Sequence, residues 1–440
     1  MGNEFKKGID VAIIKKISLL KHEPAWMLEQ RIDAYKNFIK FKNPLWGPDL
    51  SFIDFKDYIY YSSPDTKKSD TWENVPEKIK ATFKKLNIPE LEAKTLSGVN
   101  NQFDSESIYH ETMEEFTSKG VIFCSMDDAV KLHSEIVKKY FGKLVSNNDN
   151  KYAALNSAAW SGGSFIYIPK NLKIEKPLQS YFRINTKSVG QFERTLIIVE
   201  ENSQIHYIEG CTAPIYDKNN LHAAVVEVFV GKNATVRYST IQNWSDNVLN
   251  LVTKRAVVET NGYMEWIDGN IGSKLNMKYP ATILKGDNAC GKCISIATSK
   301  RGVVQDSGAK MIHIGKNTKS YIISKSIAGG GGNASYRGLI NITKNATNSY
   351  SEVSCDSIIL DQQSRSDTYP TEIIANSSSF IKHEAKITNL DKEKMYYINS
   401  RGIDCKQAQH LLIMGFIAPF TDVLPIEYAV ELNHLLHLYF

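Results

Sequence analysis

The sequence predicts a mainly β protein whose core is a β-solenoid, with helical regions at both ends. One observation is a recurring asparagine turn, found at spacings of 31, 28, 27, 29, 28 and 31 residues. A period in this range is typical of coils that bury their apolar faces only against their neighbours. The turns occur at Asn202, Asn233, Asn261, Asn288, Asn317, Asn345 and Asn376.

A second observation is the alternation of side chains between these turns. Residues 196–199 and 235–241 are rich in β-branched residues and alternate with a period of two, which suits strands with one inward face. The turns themselves are similar, for example GKNAT at 231–235 and TKNAT at 343–347. Asparagine tolerates the left-handed backbone that such corners need.

The third observation is a change of pattern along the chain. Helical spacing of apolar residues is present at 25–35 and 129–137, and from residue 153 to about 387 it gives way to strands and turns. We therefore divide the chain into a helical N-terminal region (1–150), a solenoid core (151–388) and a helical C-terminal region (389–440). In the last region, Asp404 is a good N-cap and Pro425 can begin a further helix.

The composition is that of a globular protein and disfavours two classes of partner. The 440 residues carry a net charge of only +5, which is too small an excess to predict nucleic-acid binding. The longest apolar stretch, 411–420, is shorter than the roughly 20 residues of a membrane span. The chain begins without a signal-peptide core. We expect neither nucleic acid nor membrane as partner, and a location in a bacterial cytoplasm or a plastid or apicoplast interior.

Two cysteines are the main candidates for chemistry. Cys211 follows Asn202 by nine residues and Cys355 follows Asn345 by ten, so both lie at nearly the same phase of coils five repeats apart. At about 4.8 Å per coil the two thiols would be roughly 24 Å apart, too far for a disulfide. If both are functional, something must travel between them. A buried, inert thiol is the alternative for each.

His383 follows Cys355 by 28 residues, which places it on the adjacent coil with Glu384 beside it. Thiolate, imidazole and carboxylate together would suit iron or an iron–sulfur cluster, with further ligands from a second subunit. Cys290 and Cys293 form a lone CxxC whose two side chains would face opposite ways on a strand, so we expect them to be structural.

At these positions the chain resembles the SufB branch of the SufB/SufD family, the scaffold subunits of the SUF iron–sulfur cluster assembly system. The resemblance runs in family order across nearly the whole chain. The stretches that carry it are 23–29 (EPAWMLE), 120–124 (GVIFC), 181–185 (YFRIN), 190–195 (GQFERT), 209–214 (EGCTAP), 221–227 (LHAAVVE), 238–244 (YSTIQNW), 308–313 (GAKMIH), 335–339 (SYRGL), 355–357 (CDS) and 383–385 (HEA).

The resemblance implies a right-handed parallel β-helix core and a role for each candidate residue. Cys211 would accept persulfide sulfur from a SufE/SufS-type donor, and Cys355, His383 and Glu384 would form the assembly and metal site. The implied partners are a SufC-type ATPase on the C-terminal helices, a SufD-type paralogue or a second SufB, and apo iron–sulfur acceptor proteins. A nascent cluster is the implied cofactor, with reduced flavin as an electron source and ATP hydrolysis left to the partner, so the chain itself is not expected to be an enzyme.

One position departs from the family pattern. Lys382 stands where the family usually has Glu, which would add a positive charge and leave Glu384 as the carboxylate of the site. Two other functions are compatible with the fold. A SufD-like structural partner of the ATPase would not need Cys211, and a polysaccharide-acting solenoid enzyme would need clustered carboxylates that the sequence does not show.

Overall fold

The protein is described by a computed structural model that covers residues 5–62, 98–103, 105–112, 114–184, 189–213, 219–424, 429, 432, 433, 435 and 436. Two sheets of mostly parallel strands enclose the core and wind into a solenoid of about seven turns. Successive strands along the chain alternate between the sheets, so each coil hydrogen-bonds only to the coils before and after it. The predicted parallel β-solenoid is confirmed.

The first sheet contains, in pairing order, β2 (Glu106–Thr112), β1 (Gly98–Phe103), β5 (Leu178–Arg183), β8 (Gln204–Thr212), β11 (Thr235–Trp244), β13 (Tyr263–Gly272), β16 (Cys290–Ser299), β18 (Lys319–Ala328), β20 (Tyr350–Ile359) and β22 (Phe380–Asn389). The second sheet contains β21 (Arg365–Ile374), β19 (Asn333–Ile342), β17 (Val304–His313), β14 (Leu275–Lys278), β12 (Val248–Val258), β10 (Val225–Val230), β7 (Arg194–Val199), β4 (Ser164–Ile168) and β3 (Ile122–Ser125), joined by β15 (Ala281–Leu284), β6 (Gly190–Gln191) and β9 (Asn220–His222).

Asparagines form the corners of the coils, as the repeat predicts. Asn202, Asn233, Asn261, Asn288 and Asn317 all have φ between 54° and 59°, the left-handed region that asparagine tolerates. Neighbouring corners are linked through their side chains, with the Asn233 amide donating to Asn202 at 2.8 Å and the Asn261 amide donating to Asn233 at 3.0 Å. The asparagines therefore satisfy both the backbone geometry of each corner and one another's hydrogen bonds.

Three corners differ from the prediction. The left-handed residue of the sixth corner is Asn348, with φ of 56°, and not Asn345. Asn376 is not left-handed either, and instead donates its amide to the carbonyl of Thr343 at 3.0 Å. An earlier corner at Asn171 begins the series, because its side chain accepts a hydrogen bond from Asn202 at 2.8 Å.

Helices flank the solenoid. They are α1 (Val11–Leu20), α2 (Ala25–Lys40), α3 (Glu114–Thr117), α4 (Met126–Leu132), α5 (Ser134–Tyr140), α6 (Lys151–Ala159), α7 (Lys392–Ser400) and α8 (Cys405–Thr421), with a 3₁₀ turn at Phe55–Asp57. The expected helix over 129–137 is divided into α4 and α5 at His133. The mainly helical reading of the first 150 residues also misses three strands, because β1 pairs with β5 and β3 pairs with β4 and so extend the sheets.

A buried ion pair anchors the N-terminal region to the solenoid. The Arg194 guanidinium contacts the Glu227 carboxylate at 2.6 Å, and both side chains are fully buried. Glu227 also accepts hydrogen bonds from the backbone of Gly142, Leu144 and Val145 at 2.8–3.0 Å. Because every oxygen of the carboxylate is satisfied, the burial of this charge is compensated.

The C-terminal helix α8 covers the outer face of the first sheet. Ile413, Ile417 and Phe420 pack against a row of isoleucines contributed by successive strands, among them Ile241 and Ile267. Asp404 caps the helix as predicted, accepting from the backbone of residues 406 and 407 at 2.9 and 3.0 Å.

The helix expected from Pro425 begins outside the described residues, although Ala429 and Leu432 are helical. Among the helices that the structure describes, none is both long and apolar enough to cross a membrane.

Candidate functional site

The two candidate thiols lie in the same sheet and both point into the solenoid. Cys211 on β8 and Cys355 on β20 are 2% and 4% exposed. From β8, the pairing runs through β11, β13, β16 and β18 to β20, which is five strand-to-strand steps. At about 4.8 Å a step the separation is roughly 24 Å. The five coils predicted from the asparagine repeat are therefore the number of steps in the structure.

A row of polar side chains connects the two thiols along the inner face of this sheet. Following the register back from Cys355, the directly opposed residues on successive strands are Ser324, Ser295, Asp268, Thr240 and Glu209. All of these residues are at most 6% exposed. Glu209 lies two residues before Cys211 and so shares its face of the strand. We call this set, from Glu209 to Cys355, the polar row.

Cys211 sits beside the first carboxylate of the polar row. Its Sγ lies 3.8 Å from Glu209 Oε1, and Glu209 Oε2 accepts a hydrogen bond from the Tyr238 hydroxyl at 2.5 Å. Burial raises the pKa of the Cys211 thiol well above its usual range, and the neighbouring Glu209 raises it further. Burial also raises the pKa of Glu209. The thiol is therefore protonated at neutral pH, with a proton acceptor within reach.

Two lysines from the second sheet reach across the interior to the middle of the polar row. Lys254 and Lys278 each approach Asp268 Oδ1 at 3.1 Å, and Lys254 also donates to Thr240 at 2.5 Å. Burial acts to raise the pKa of Asp268, but the two lysines outweigh it and the pKa is lowered. Burial lowers the pKa of Lys278 to about 8. One carboxylate thus faces two ammonium groups, and this part of the row has a net positive charge.

Cys355 lies near the last coil of the solenoid. It is opposite Ser324 on one side and Ala385 on the other. Burial raises the pKa of its thiol to about 12, although the nearby Tyr336 hydroxyl acts to lower it. The neighbouring Glu372 carboxylate also acts to raise this pKa, and the thiol is therefore protonated at neutral pH.

His383 lies on the same inner face, one strand further along and two residues earlier in the register, opposite Val353. Its Nδ1 is 2.5 Å from Glu372 Oε1, while its Nε2 is buried and has no hydrogen-bond partner among the described residues. Both His383 and Glu372 line an open cavity of about 380 Å³ at the end of the solenoid, together with Ala385. The imidazole is therefore oriented by a carboxylate and has a free nitrogen.

Glu384 and Lys382 lie on the other face of β22. Glu384 is opposite Ser354 and is exposed, because successive residues of a strand point to opposite sides. Lys382 is paired with Glu352 at 2.8 Å on the same outer face. The expected grouping of Glu384 with His383 and Cys355 is not what the structure has, and Lys382 adds no charge beside Cys355. Among the described residues, no three His, Cys, Asp or Glu side chains are arranged to hold a metal ion.

The remaining cysteines are not part of this arrangement. Cys293 is buried in the apolar core, whereas the half-buried Cys290 points to the opposite side of β16. All six cysteines are free thiols. The CxxC pair thus has the geometry expected of two unrelated structural residues.

Family models match almost the whole chain. The model described as "SUF system FeS cluster assembly, SufBD core domain" matches residues 182–416, and "SufBD protein N-terminal region" matches residues 15–180. The chain belongs to the SufBD family. An iron–sulfur cluster assembly SufBD family protein of Staphylococcus aureus (strain MRSA252) is 52% identical over 431 residues, covering 98% of this chain and 93% of the relative. One from Staphylococcus saprophyticus is 51% identical with the same coverage.

Several residues of the site, among them Glu209, Glu372 and Tyr336, were not among the sequence-based candidates for this SufBD protein. Glu209 could have been found, because it lies two residues from Cys211 and a strand places such residues on one face. Glu372 and Tyr336 belong to the second sheet, and only the packing of the two sheets brings them to His383 and Cys355. No signal in the sequence relates them to the site.

Proposed function

We propose that this SufBD protein is a SufB-type scaffold that accepts sulfur at Cys211 and assembles a nascent iron–sulfur cluster at Cys355. The observation that carries the proposal is the polar row. Buried hydroxyl and charged groups are costly inside a β-solenoid, yet here they lie in one unbroken line that begins beside one thiol and ends at the other. Sulfur that enters at Cys211 has a polar path of roughly 24 Å to Cys355.

The first step is a sulfur transfer to Cys211. The Cys211 thiol gives its proton to Glu209, and the thiolate attacks the outer sulfur of a donor persulfide of the SufE/SufS type. The S–S bond of the donor breaks, the donor leaves as a thiolate, and Cys211 carries the persulfide, so no external oxidant or reductant is needed. Two electrons from reduced flavin, the candidate donor, would then break the S–S bond of the Cys211 persulfide, which regenerates the Cys211 thiol and releases hydrosulfide. The positive charge of Lys254 and Lys278 favours movement of this anion along the row.

Iron and sulfide meet at the other end. Cys355 supplies a thiolate and His383 its free Nε2, with Glu372 fixing the imidazole through Nδ1. These are too few donors for a complete cluster, so a second subunit, either a SufD-type paralogue or another copy of this chain, supplies the rest at the open end. The electrons come from outside the chain, with reduced flavin as the candidate donor, and apo acceptor proteins receive the cluster.

Because both thiols are buried, sulfur and iron need an opening of the solenoid to reach them, and we assign this opening to the ATPase partner. Tyr396, Tyr397 and Leu411 are 77%, 59% and 51% exposed on the C-terminal helices, which offers an apolar surface for docking a SufC-type protein. ATP hydrolysis in that partner would open the solenoid and admit sulfur and iron. In this scheme the chain acts as a scaffold and hydrolyses nothing itself.

The test compares single variants of the full chain under anaerobic conditions. Cys211→Ser should lose enzymatic loading of ³⁵S from a persulfide donor but still acquire a cluster from iron and free sulfide, as read by absorption and Mössbauer spectra. Cys355→Ser should load sulfur and lose the cluster. Cys290→Ser is the matched control and should do both. If Cys211→Ser loads sulfur and Cys355→Ser holds a cluster like the wild type, these two thiols do not have the proposed roles. If the wild type itself neither loads sulfur nor holds a cluster, the chain is instead a SufD-like structural partner.

A further inference from the structure

A second cavity lies on the outside of the solenoid, and Lys254 is the one residue of its lining that the proposed sulfur path uses. It has a volume of about 350 Å³ and lies between the segment 41–46, the beginning of α6, and strands β12, β14 and β15 with Lys310 of β17. A volume of this size is in the range of sites for small molecules. Lys310 belongs to the stretch 308–313, for which the proposed function has no use.

The charges that line this cavity are mostly positive. Lys42, Lys151, Lys254, Arg255 and Lys310 line the cavity with one acid, Asp149, and the Lys254 ammonium is paired with Asp268 in the interior. Asp149 is paired with Arg255 at 2.6 Å, which leaves three ammonium groups without an ion pair to any residue in the described part of the chain. Five cationic residues against one carboxylate give a net lining charge of +4, or +3 without Lys254, whose charge is paired with Asp268.

Two of these lysines are partly withdrawn from water. Burial lowers the pKa of Lys151, and burial together with the neighbouring Arg255 lowers the pKa of Lys310. Removing an ammonium group from water without a counter-charge is unfavourable. A bound anion would compensate this cost at both positions, because it would supply the missing counter-charge.

Aromatic rings lie beside the cations. Trp46 and Tyr279 pack edge to face with centroids 5.6 Å apart, and the Lys310 ammonium is 6.0 and 5.6 Å from their respective centroids. Trp46 is 49% exposed, although a large aromatic side chain gains most from burial. Met277 and Leu251 supply apolar surface below them. The wall therefore offers a half-exposed indole next to the Lys310 ammonium, which has no ion-pair partner among the described residues.

We propose that this cavity binds an aromatic anion of mononucleotide size, with its planar ring against Trp46 and its phosphate or carboxylate group at Lys151 and Lys310. The ring accounts for the half-exposed indole, and the anionic group for the two ammonium groups, which have aromatic neighbours but no ion-pair partner among the described residues. A free inorganic anion would use the lysines and leave the indole uncovered, so ring and charge are both required of the ligand.

Calorimetric titration of the full chain with three probes tests this, namely AMP, adenosine and inorganic phosphate. We expect saturable binding of AMP at one site and at least tenfold weaker binding of the two fragments. Lys310→Met keeps the apolar stem and removes the charge, so it should weaken AMP binding about tenfold or more. Trp46→Leu should weaken AMP binding and leave phosphate binding unchanged. Lys232→Met, at an exposed corner far from the cavity in the fold, is the matched control and should bind AMP like the wild type.

Three results would overturn the proposal. They are the absence of saturable AMP binding at millimolar concentration, phosphate binding as tight as that of AMP, and an affinity for AMP that Lys310→Met and Lys151→Met leave unchanged. Both substituted lysines lie at the surface of the cavity and outside the core. Far-UV circular dichroism and a thermal unfolding curve verify that each variant is folded before it is titrated.

Discussion

The reactivity of Cys355 follows from the environment that the solenoid gives its thiol. Burial raises its pKa from the ordinary value of 9.0 to about 12, so the thiolate fraction at neutral pH falls by about 10³-fold. A thiolate of higher pKa is intrinsically more nucleophilic, which returns a factor of about 20 for a shift of this size. The net expectation is alkylation about 50-fold slower than that of an ordinary thiol, before any steric obstruction.

Cys405 provides an internal standard for this prediction, because it is exposed at the beginning of α8 in the same chain. Pulse labelling of the isolated protein with iodoacetamide, followed by peptide mass spectrometry, gives both rates from one sample. The Cys355 rate should also rise about tenfold per pH unit from pH 7 to 10, because the pKa near 12 lies above that whole range. Equal labelling of Cys355 and Cys405 at neutral pH would refute the argument that burial keeps the thiol protonated.

Three further predictions use equilibrium unfolding or cluster retention. Asn233→Ala should cost about 1–2 kcal/mol in guanidinium unfolding, because its φ of 55° is unfavourable for alanine, whereas Asn233→Gly should cost less. Asp268→Asn should cost about 3 kcal/mol at pH 7 by leaving two buried ammonium groups unpaired. That loss should shrink towards pH 9, because the pKa of Lys278 is already about 8. Glu372→Gln should weaken cluster retention in anaerobic reconstitution while Glu384→Gln does not, and the reverse result would contradict the assignment of the carboxylate.

The sequence alone was sufficient to predict the β-solenoid, because each repeat contains its own asparagine turn. An asparagine in the left-handed region is a local requirement, so its recurrence can be read without knowing the tertiary structure. The number of coils between Cys211 and Cys355 depends only on counting turns, and the five steps agree with the strand order for the same reason. The corner at Asn348 was misplaced because residues 345 and 348 are both asparagines in one polar turn, and only the backbone decides between them.

The register of the last coil could not be obtained by counting. The opposed residues Cys355 and Ala385 are 30 positions apart, whereas the expected partner His383 is 28 positions away. His383 is two positions before Ala385 on β22, so its side chain stays on the inner face. Glu384 is only one position before Ala385, so its side chain points outwards. Coil length varies along this solenoid, so a mean period predicts which coil a residue lies on and leaves its face undetermined.

The alternation of the strands also links α8, the proposed docking helix, to the proposed sulfur path. Ile241 and Ile267 pack against α8 on the outside, and each is the chain neighbour of an inner residue of the polar row, Thr240 and Asp268 respectively. A displacement of α8 would therefore act on the strands that hold the polar row, because the outward-facing isoleucines and the inward-facing residues of the row are adjacent in the chain. An ATPase bound to the C-terminal helices can shift the row only if it binds the open and closed states with different affinity. The iodoacetamide rate of Cys355 measures that shift directly, since it should increase on addition of the ATPase with ATP and remain unchanged with the ATPase alone.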